Sequence, residues 1–273
     1  RNNWGICLFK NSLSYSMSAY INWLRHTKER PSENEIYPHG LCINLQEINL
    51  GENIMSFVDI ETIGQVLVVK INRPERLNAL SHQIRNELAE AWTTLKESDA
   101  LEVGIFTGEG RSFCAGEDMK ESLVDGRPGG RPISISDPLM DGTLTKPVIA
   151  AVNGYAMGGG FMLVEATDLR IAVPQAIFEV SEAKRWLLGG YNHGHMANLP
   201  HPIATEMALG FRFTAQRFYE IGFINKVVEP ENLMSTALEM SDHILSLPPA
   251  SRVNTVQMMR EMRPKIDRNL LDL

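Results

Sequence analysis

From residue 58 onward the apolar positions fall into short runs separated by turn residues. Residues 58–62 and 66–72 are both rich in β-formers, the second in Val and Ile, and Gly64 between them predicts a hairpin. Ser81, a favoured helix N-cap, precedes Ile84, Leu88, Trp92 and Leu95, which recur at helical spacing. The pattern then returns to short buried strands at 103–107 and 148–152, a helix after Gly160, and further strands at 169–172 and 226–228. Strands alternating with helices predict an α/β fold of parallel strands joined by crossover helices. Leu233, Ala237, Met240, Ile244 and Leu247 form one helical face, read as core packing, and Pro248-Pro249 ends that helix. A further helix is expected over 253–262.

Residues 1–54 do not share this pattern: Ser, Asn and Tyr are frequent, and Met55-Ser56-Phe57 looks like a second beginning. They are expected to stand outside the fold; a targeting or partner-binding extension is the rival reading, since residues 1–28 are Ser-rich and free of acidic groups. The 273 residues can bury a sizeable core. A net charge of −7, with no dense basic stripe, gives nucleic-acid binding no support. Cys7, Cys42 and Cys114 are odd in number, dispersed and without CxxC or nearby His spacing, so neither a disulfide framework nor a zinc site is expected, and a cytoplasmic setting is. No apolar stretch approaches the roughly 20 residues that span a bilayer, so no membrane partner is expected.

Candidate chemistry concentrates in the segment KPVIAAVNGYAMGGGFMLVEATDLRIA, residues 146–172. A buried strand runs into Gly158-Gly159-Gly160 and then a helix, whose first turn offers unpaired N–H groups and partial positive charge to an oxyanion or phosphate. Such a cluster by itself is equally compatible with an unliganded tight turn. A second glycine-bearing turn, Arg111-Ser112-Phe113-Cys114-Ala115-Gly116-Glu117-Asp118-Met119-Lys120, follows the 103–107 strand. Two such turns can each offer one N–H to the same oxygen, which is how an oxyanion hole is built.

Together with Asn72-Arg73-Pro74-Glu75-Arg76-Leu77-Asn78-Ala79-Leu80, these two turns resemble the crotonase family, also called the enoyl-CoA hydratase/isomerase family, over residues 55–262. The resemblance implies a spiral of ββα units with C-terminal helices, assembly as a homotrimer or dimer of trimers, and a coenzyme A thioester as substrate with no further cofactor or metal. It implies that the N–H groups of Glu117 and Gly159 are the oxyanion donors. It also places Arg76, Leu77, Ala79, Ala115, Asp118, Met119 and Lys120 where the family holds coenzyme A. The Glu117 carboxylate is compatible with an enolate only if it points away from it.

Hydratases of the family use two glutamates. The first matching position here is Met162, which cannot transfer a proton; the second is Glu182, the expected acid/base. Without the resemblance Glu182 reads as a helix-start carboxylate. Glu165, three residues after Met162, lies about 4.5 Å further along the helix, too far to substitute. The family's Thr-Gln-Arg-Leu-Pro stretch is replaced by residues 186–200, in which His193 and His195 are read as solvated loop residues rather than proton carriers or metal ligands. Asp168 is assigned a structural role, and the chain is expected to lack the family's last helices. Losing the first carboxylate weakens a two-carboxylate hydration and makes a carbon-to-carbon double-bond shift a serious candidate, so hydration/dehydration or isomerisation through a thioester enolate is the expectation; a catalytically silent acyl-CoA-binding homologue, thioester hydrolysis and ring cleavage are the competing readings.

Overall fold

The computed structural model describes residues 56–125, 136–185, 194 and 197–264. The expectations for residues 1–54, His193 and His195 lie outside them. The predicted hairpin is present: β1 (Val58–Ile63) pairs antiparallel with β2 (Val66–Ile71), Ile63 facing Val66 across the two-residue turn at Gly64. The main sheet continues with β3 (Val103–Gly108), β5 (Val148–Val152), β7 (Leu169–Ala172) and β10 (Lys226–Val227), each parallel to its neighbour, in the order β1-β2-β3-β5-β7-β10. β3 and β5 are buried at every residue, as central parallel strands covered on both faces should be.

A second sheet was not foreseen. β4 (Ser112–Cys114), β6 (Tyr155–Met157), β8 (Ile177–Glu179) and β9 (Phe213–Thr214) form a four-stranded sheet in that order, antiparallel only at β8-β9. The chain therefore places one strand in each sheet and then a helix: β3-β4-α2 (α2 Met119–Asp125) and β5-β6-α3 (α3 Gly159–Ala166). This is the ββα spiral that the resemblance implies. The 148–152 strand consequently does not run directly into the triple glycine; Asn153-Gly154 turns the chain into β6 first.

Helix α1 (His82–Glu97) is capped as expected, the Ser81 hydroxyl accepting the Ile84 N–H at 3.2 Å, and buries Ile84, Leu88, Trp92 and Leu95. Trp92 and Phe113 both meet Phe106 edge to face, at 5.1 and 5.0 Å between ring centres. A second aromatic cluster lies beneath α3. Phe161 contacts Phe178, Phe218 and Phe223 at 5.3–6.4 Å, and Phe213 stacks on Phe218 at 4.8 Å. It joins β8, β9 and α5 (Ala215–Glu220) to the underside of the glycine helix.

Two expectations near the C-terminus need correction. Helix α6 (Leu233–Leu245) buries Leu233, Ala237 and Ile244, but Leu247 lies past its end and is 41% exposed. Pro248 and Pro249 open helix α7 (Pro249–Glu261) rather than simply closing α6. Proline is favoured in a first turn because its missing N–H would have had no partner there.

The end of α3 is held by residues from far along the chain. Arg170, half-buried, donates to the carbonyls of Val164 (3.0 Å), Glu165 (3.0 Å) and Thr167 (2.8 Å). Arg263 donates to Glu165 and Ala166 at 3.4 Å and to Thr167 at 2.9 Å. These satisfy carbonyls that a helix C-terminus leaves without partners, and the cations complement its partial negative charge. Burial lowers the Arg170 pKa to about 10, which still leaves it charged at neutral pH. Asp168 has the structural role expected of it, accepting from the Val148 N–H at 2.8 Å and from Arg260 Nε at 2.7 Å.

Candidate active site

The two glycine turns meet. A β-carbon built on Gly116, which sits at φ +88°, would stand 2.6 Å from the Met157 carbonyl oxygen and 3.3 Å from the Gly159 nitrogen; one built on Gly159 would stand 4.0 Å from the Glu117 nitrogen. Only a residue without a side chain, able to adopt positive φ, fits at position 116. At Gly160 an added β-carbon would overlap the Cys114 carbonyl, whose carbon would be 2.8 Å away. The main chains of the turns are thus in contact, with the Glu117 and Gly159 nitrogens side by side.

Several of the neighbouring N–H groups are engaged, Gly116 with Cys114 Sγ at 3.4 Å. Ala115 donates to Leu77 O (3.0 Å), Asp118 to Leu80 O (3.1 Å) and Gly158 to Glu179 O (2.8 Å). Gly159 is the first residue of α3, where the N–H has no acceptor within the helix. Among the described residues, no main-chain acceptor outside the helices and strands takes the N–H of either Glu117 or Gly159.

Glu182 comes to the same place from the third segment. It is half-buried between β8 and the short 3₁₀ turn Ala183–Arg185, and its Oε1 lies 3.6 Å from where a β-carbon on Gly158 would stand. Its segment is fixed from below. Glu179 accepts from Ser181 Oγ (2.6 Å) and Arg212 Nε (2.7 Å) and pairs with Lys184 at 3.1 Å. Burial would raise the Glu179 pKa, but these donors outweigh it and hold it below the usual glutamate range. Met162 is 37% exposed on α3, whereas Glu165 is 4% exposed on the stretch whose carbonyls the arginines grip.

Of the residues assigned to coenzyme A, Arg76, Met119 and Lys120 are exposed, Leu77, Ala79 and Ala115 half-buried, and Asp118 buried. Asp118 is turned inward. Its carboxylate accepts from Arg73 Nη1 at 2.8 Å and from the N–H groups of Lys120 (3.1 Å) and Glu121 (3.4 Å). Arg76 ends the 3₁₀ turn Pro74–Arg76, after which Leu77 and Asn78 take positive φ. Asn78, buried, donates to Glu109 O (3.0 Å) and Ser112 O (2.7 Å) and accepts from the Arg73 N–H (2.9 Å). Asn78 and Arg73 stand in the quoted motif, yet no role was foreseen for them; asparagine's tolerance of left-handed backbone was the available signal for the former.

The Glu117 side chain bonds to Arg85 of α1 and accepts from Ser122 Oγ of α2 at 2.9 Å. Neither partner was foreseen. Cys114 is buried between the turns, and burial pushes its thiol up to about 12, so it carries no thiolate at neutral pH. Among the described residues there is no group of three His, Cys, Asp or Glu able to hold a metal, and no helix long and apolar enough to cross a membrane.

The ββα spiral that carries these turns is the crotonase fold. The family model for enoyl-CoA hydratase/isomerase matches residues 61–271, and the chain belongs to that family. An enoyl-CoA hydratase of Mycobacterium tuberculosis is 35% identical over 74% of this chain and 79% of its own length. The (E)-benzylidenesuccinyl-CoA hydratase of Thauera aromatica is 35% identical over 73% of this chain and 80% of its own. A probable enoyl-CoA hydratase/isomerase structure from Mycobacterium abscessus superposes with TM-score 0.69 at 34% identity, covering 80% of this chain and 87% of that one. The protein is thus an acyl-CoA enzyme of the hydratase/isomerase type.

Proposed function

We propose that the protein shifts the double bond of an unsaturated acyl-CoA through a thioester enolate, with Glu182 carrying the proton. Glu182 takes a proton from C2 of a 3-enoyl thioester; the C–H electron pair moves into conjugation and the thioester oxygen becomes anionic. The N–H groups of Glu117 and Gly159 receive that oxygen. The same carboxyl returns the proton to C4, giving the 2-enoyl thioester with no water gained. The observation that carries this reading is the Glu182 carboxylate beside the glycine turn, with Met162 where a second carboxylate would stand. Donors placed for the oxygen before charge develops are worth about 3–4 kcal/mol each in barrier.

Arg76, Leu77, Ala79, Ala115, Met119 and Lys120 are proposed to line the coenzyme A path, Asp118 contributing through its fold-holding bond to Arg73. Assembly as a homotrimer or dimer of trimers, a cytoplasmic setting, and activity without a cofactor complete the reading; light scattering on the purified protein checks the first.

The test is incubation with a 3-enoyl-CoA and, separately, a 2-enoyl-CoA in deuterated water, following products by mass. A double-bond shift without water gain is expected, and Glu182→Gln is expected to lower its rate by about 10²- to 10⁴-fold while acyl-CoA binding persists. Gain of one water would assign hydration instead. Binding without any turnover or exchange would leave a silent acyl-CoA-binding homologue.

A further inference from the structure

The residue that offers an oxyanion N–H in the proposed mechanism is itself a glutamate. Its carboxylate is tethered by two methylenes to the same α-carbon, so an unpaired negative charge would stand near the oxygen on which enolate charge collects. Such a charge opposes enolate formation more than it opposes substrate binding, because the bound thioester is neutral at that oxygen.

Arg85 answers this. It lies in the first turn of α1, and its Nη2 bonds to one Glu117 carboxylate oxygen while Ser122 Oγ donates to the other at 2.9 Å. Both side chains are about three-quarters covered, at 25% and 21% exposure, so their attraction is screened less than that of a surface pair. The main chain on either side of Glu117 is bonded to the residue before the N-cap of α1: Leu80 N–H donates to Gly116 O at 2.7 Å, and Asp118 N–H to Leu80 O at 3.1 Å. One helix end thus holds the turn through its backbone and cancels its side-chain charge.

We propose that Arg85 is a positioning residue for the reaction: it neutralises and anchors the Glu117 carboxylate so that the Glu117 N–H can stabilise an enolate. The inference rests on the enolate reading above. Arg85→Met is expected to lower kcat for the 3-enoyl-CoA about 10- to 100-fold with KM changed less than about threefold. In a Glu117→Gln background, itself slower because the anchor is weakened, the same Arg85→Met change is expected to cost less than about threefold. A purely structural arginine would cost the same in both backgrounds, and that outcome would overturn the proposal, as would an Arg85→Met enzyme of undiminished kcat. Should Arg85→Met not fold, Arg85→Lys keeps the charge and is expected to retain at least about a third of kcat; a loss above about 30-fold that Glu117→Gln does not relieve overturns the proposal equally. Glu182-dependent deuterium exchange alongside an indifferent Arg85 would sink this role alone, whereas an active Glu182→Gln enzyme would sink the enolate reading and this inference with it.

Discussion

The two turns that bring their N–H groups together share close main-chain contact but differ in what is added to it. The first, around Gly116-Glu117-Asp118, adds side-chain charge to its backbone bonds with Leu80: Arg73 on Asp118, Arg85 on Glu117, and Ser122 as a further donor. The second, Gly158-Gly159-Gly160, has no side chains and is held by main-chain contact, with Cys114 against Gly160 and Glu179 O accepting the Gly158 N–H. A turn held by charge can be weakened gradually and depends on pH. A turn held by the absence of a β-carbon fails as soon as one is added.

The largest effect should therefore come from the smallest change. Gly160→Ala forces the helix off the Cys114 carbonyl and is expected to cost about 4 kcal/mol of stability in chemical denaturation. Tolerance of that alanine would erase the contrast. Next, Arg73→Met strips a nearly buried Asp118 of its cation and is expected to cost about 3 kcal/mol by the same measurement. Burial alone would raise the Asp118 pKa, but Arg73 and two amide N–H groups outweigh it and hold it below the usual range. The stability this contributes is present above about pH 4 and lost as pH falls through the lowered value, so acid titration should show a component that is absent in Asp118→Asn.

Asp137 sharpens the comparison from the other side. It is 7% exposed, and burial raises its pKa to about 6 even though the Met140 and Leu139 N–H groups favour its charged form. A raised carboxylate contributes stability fully present below its unfolded value near 4 and lost as pH rises through about 6. Asp137→Asn is accordingly expected to leave stability unchanged at pH 4 and to increase it by about 2 kcal/mol at pH 7.5. The smallest effect, about 1 kcal/mol, is expected for Ser81→Ala, which removes the cap of the helix that carries Arg85.

The elements legible in the sequence were those long enough to show a period. Helix α1 displays its buried stripe over 16 residues, and the main-sheet strands β3 and β5 are runs of apolar residues. Strands β4, β6, β8 and β9 have only two or three residues, too few for alternation to register, and they exist because the main sheet and α3 offer them partners. The glycine turns and Glu182 were legible through their motifs. The ion pairs that shape the site were not, because Arg73 and Asp118 are separated by 45 residues and Arg85 and Glu117 by 32, and no local pattern ties a charge to so distant a partner.

The arginine cap on α3 also sets a schedule. Arg263 leaves the ribosome 96 residues after Thr167, whose carbonyl it holds. At about 5 to 20 residues per second, roughly 5 to 20 s separate the appearance of the glycine helix from that of its last clamp. A nascent chain stalled before Arg263 would therefore carry both turns while lacking one of the two arginines that finish the helix opened by the second.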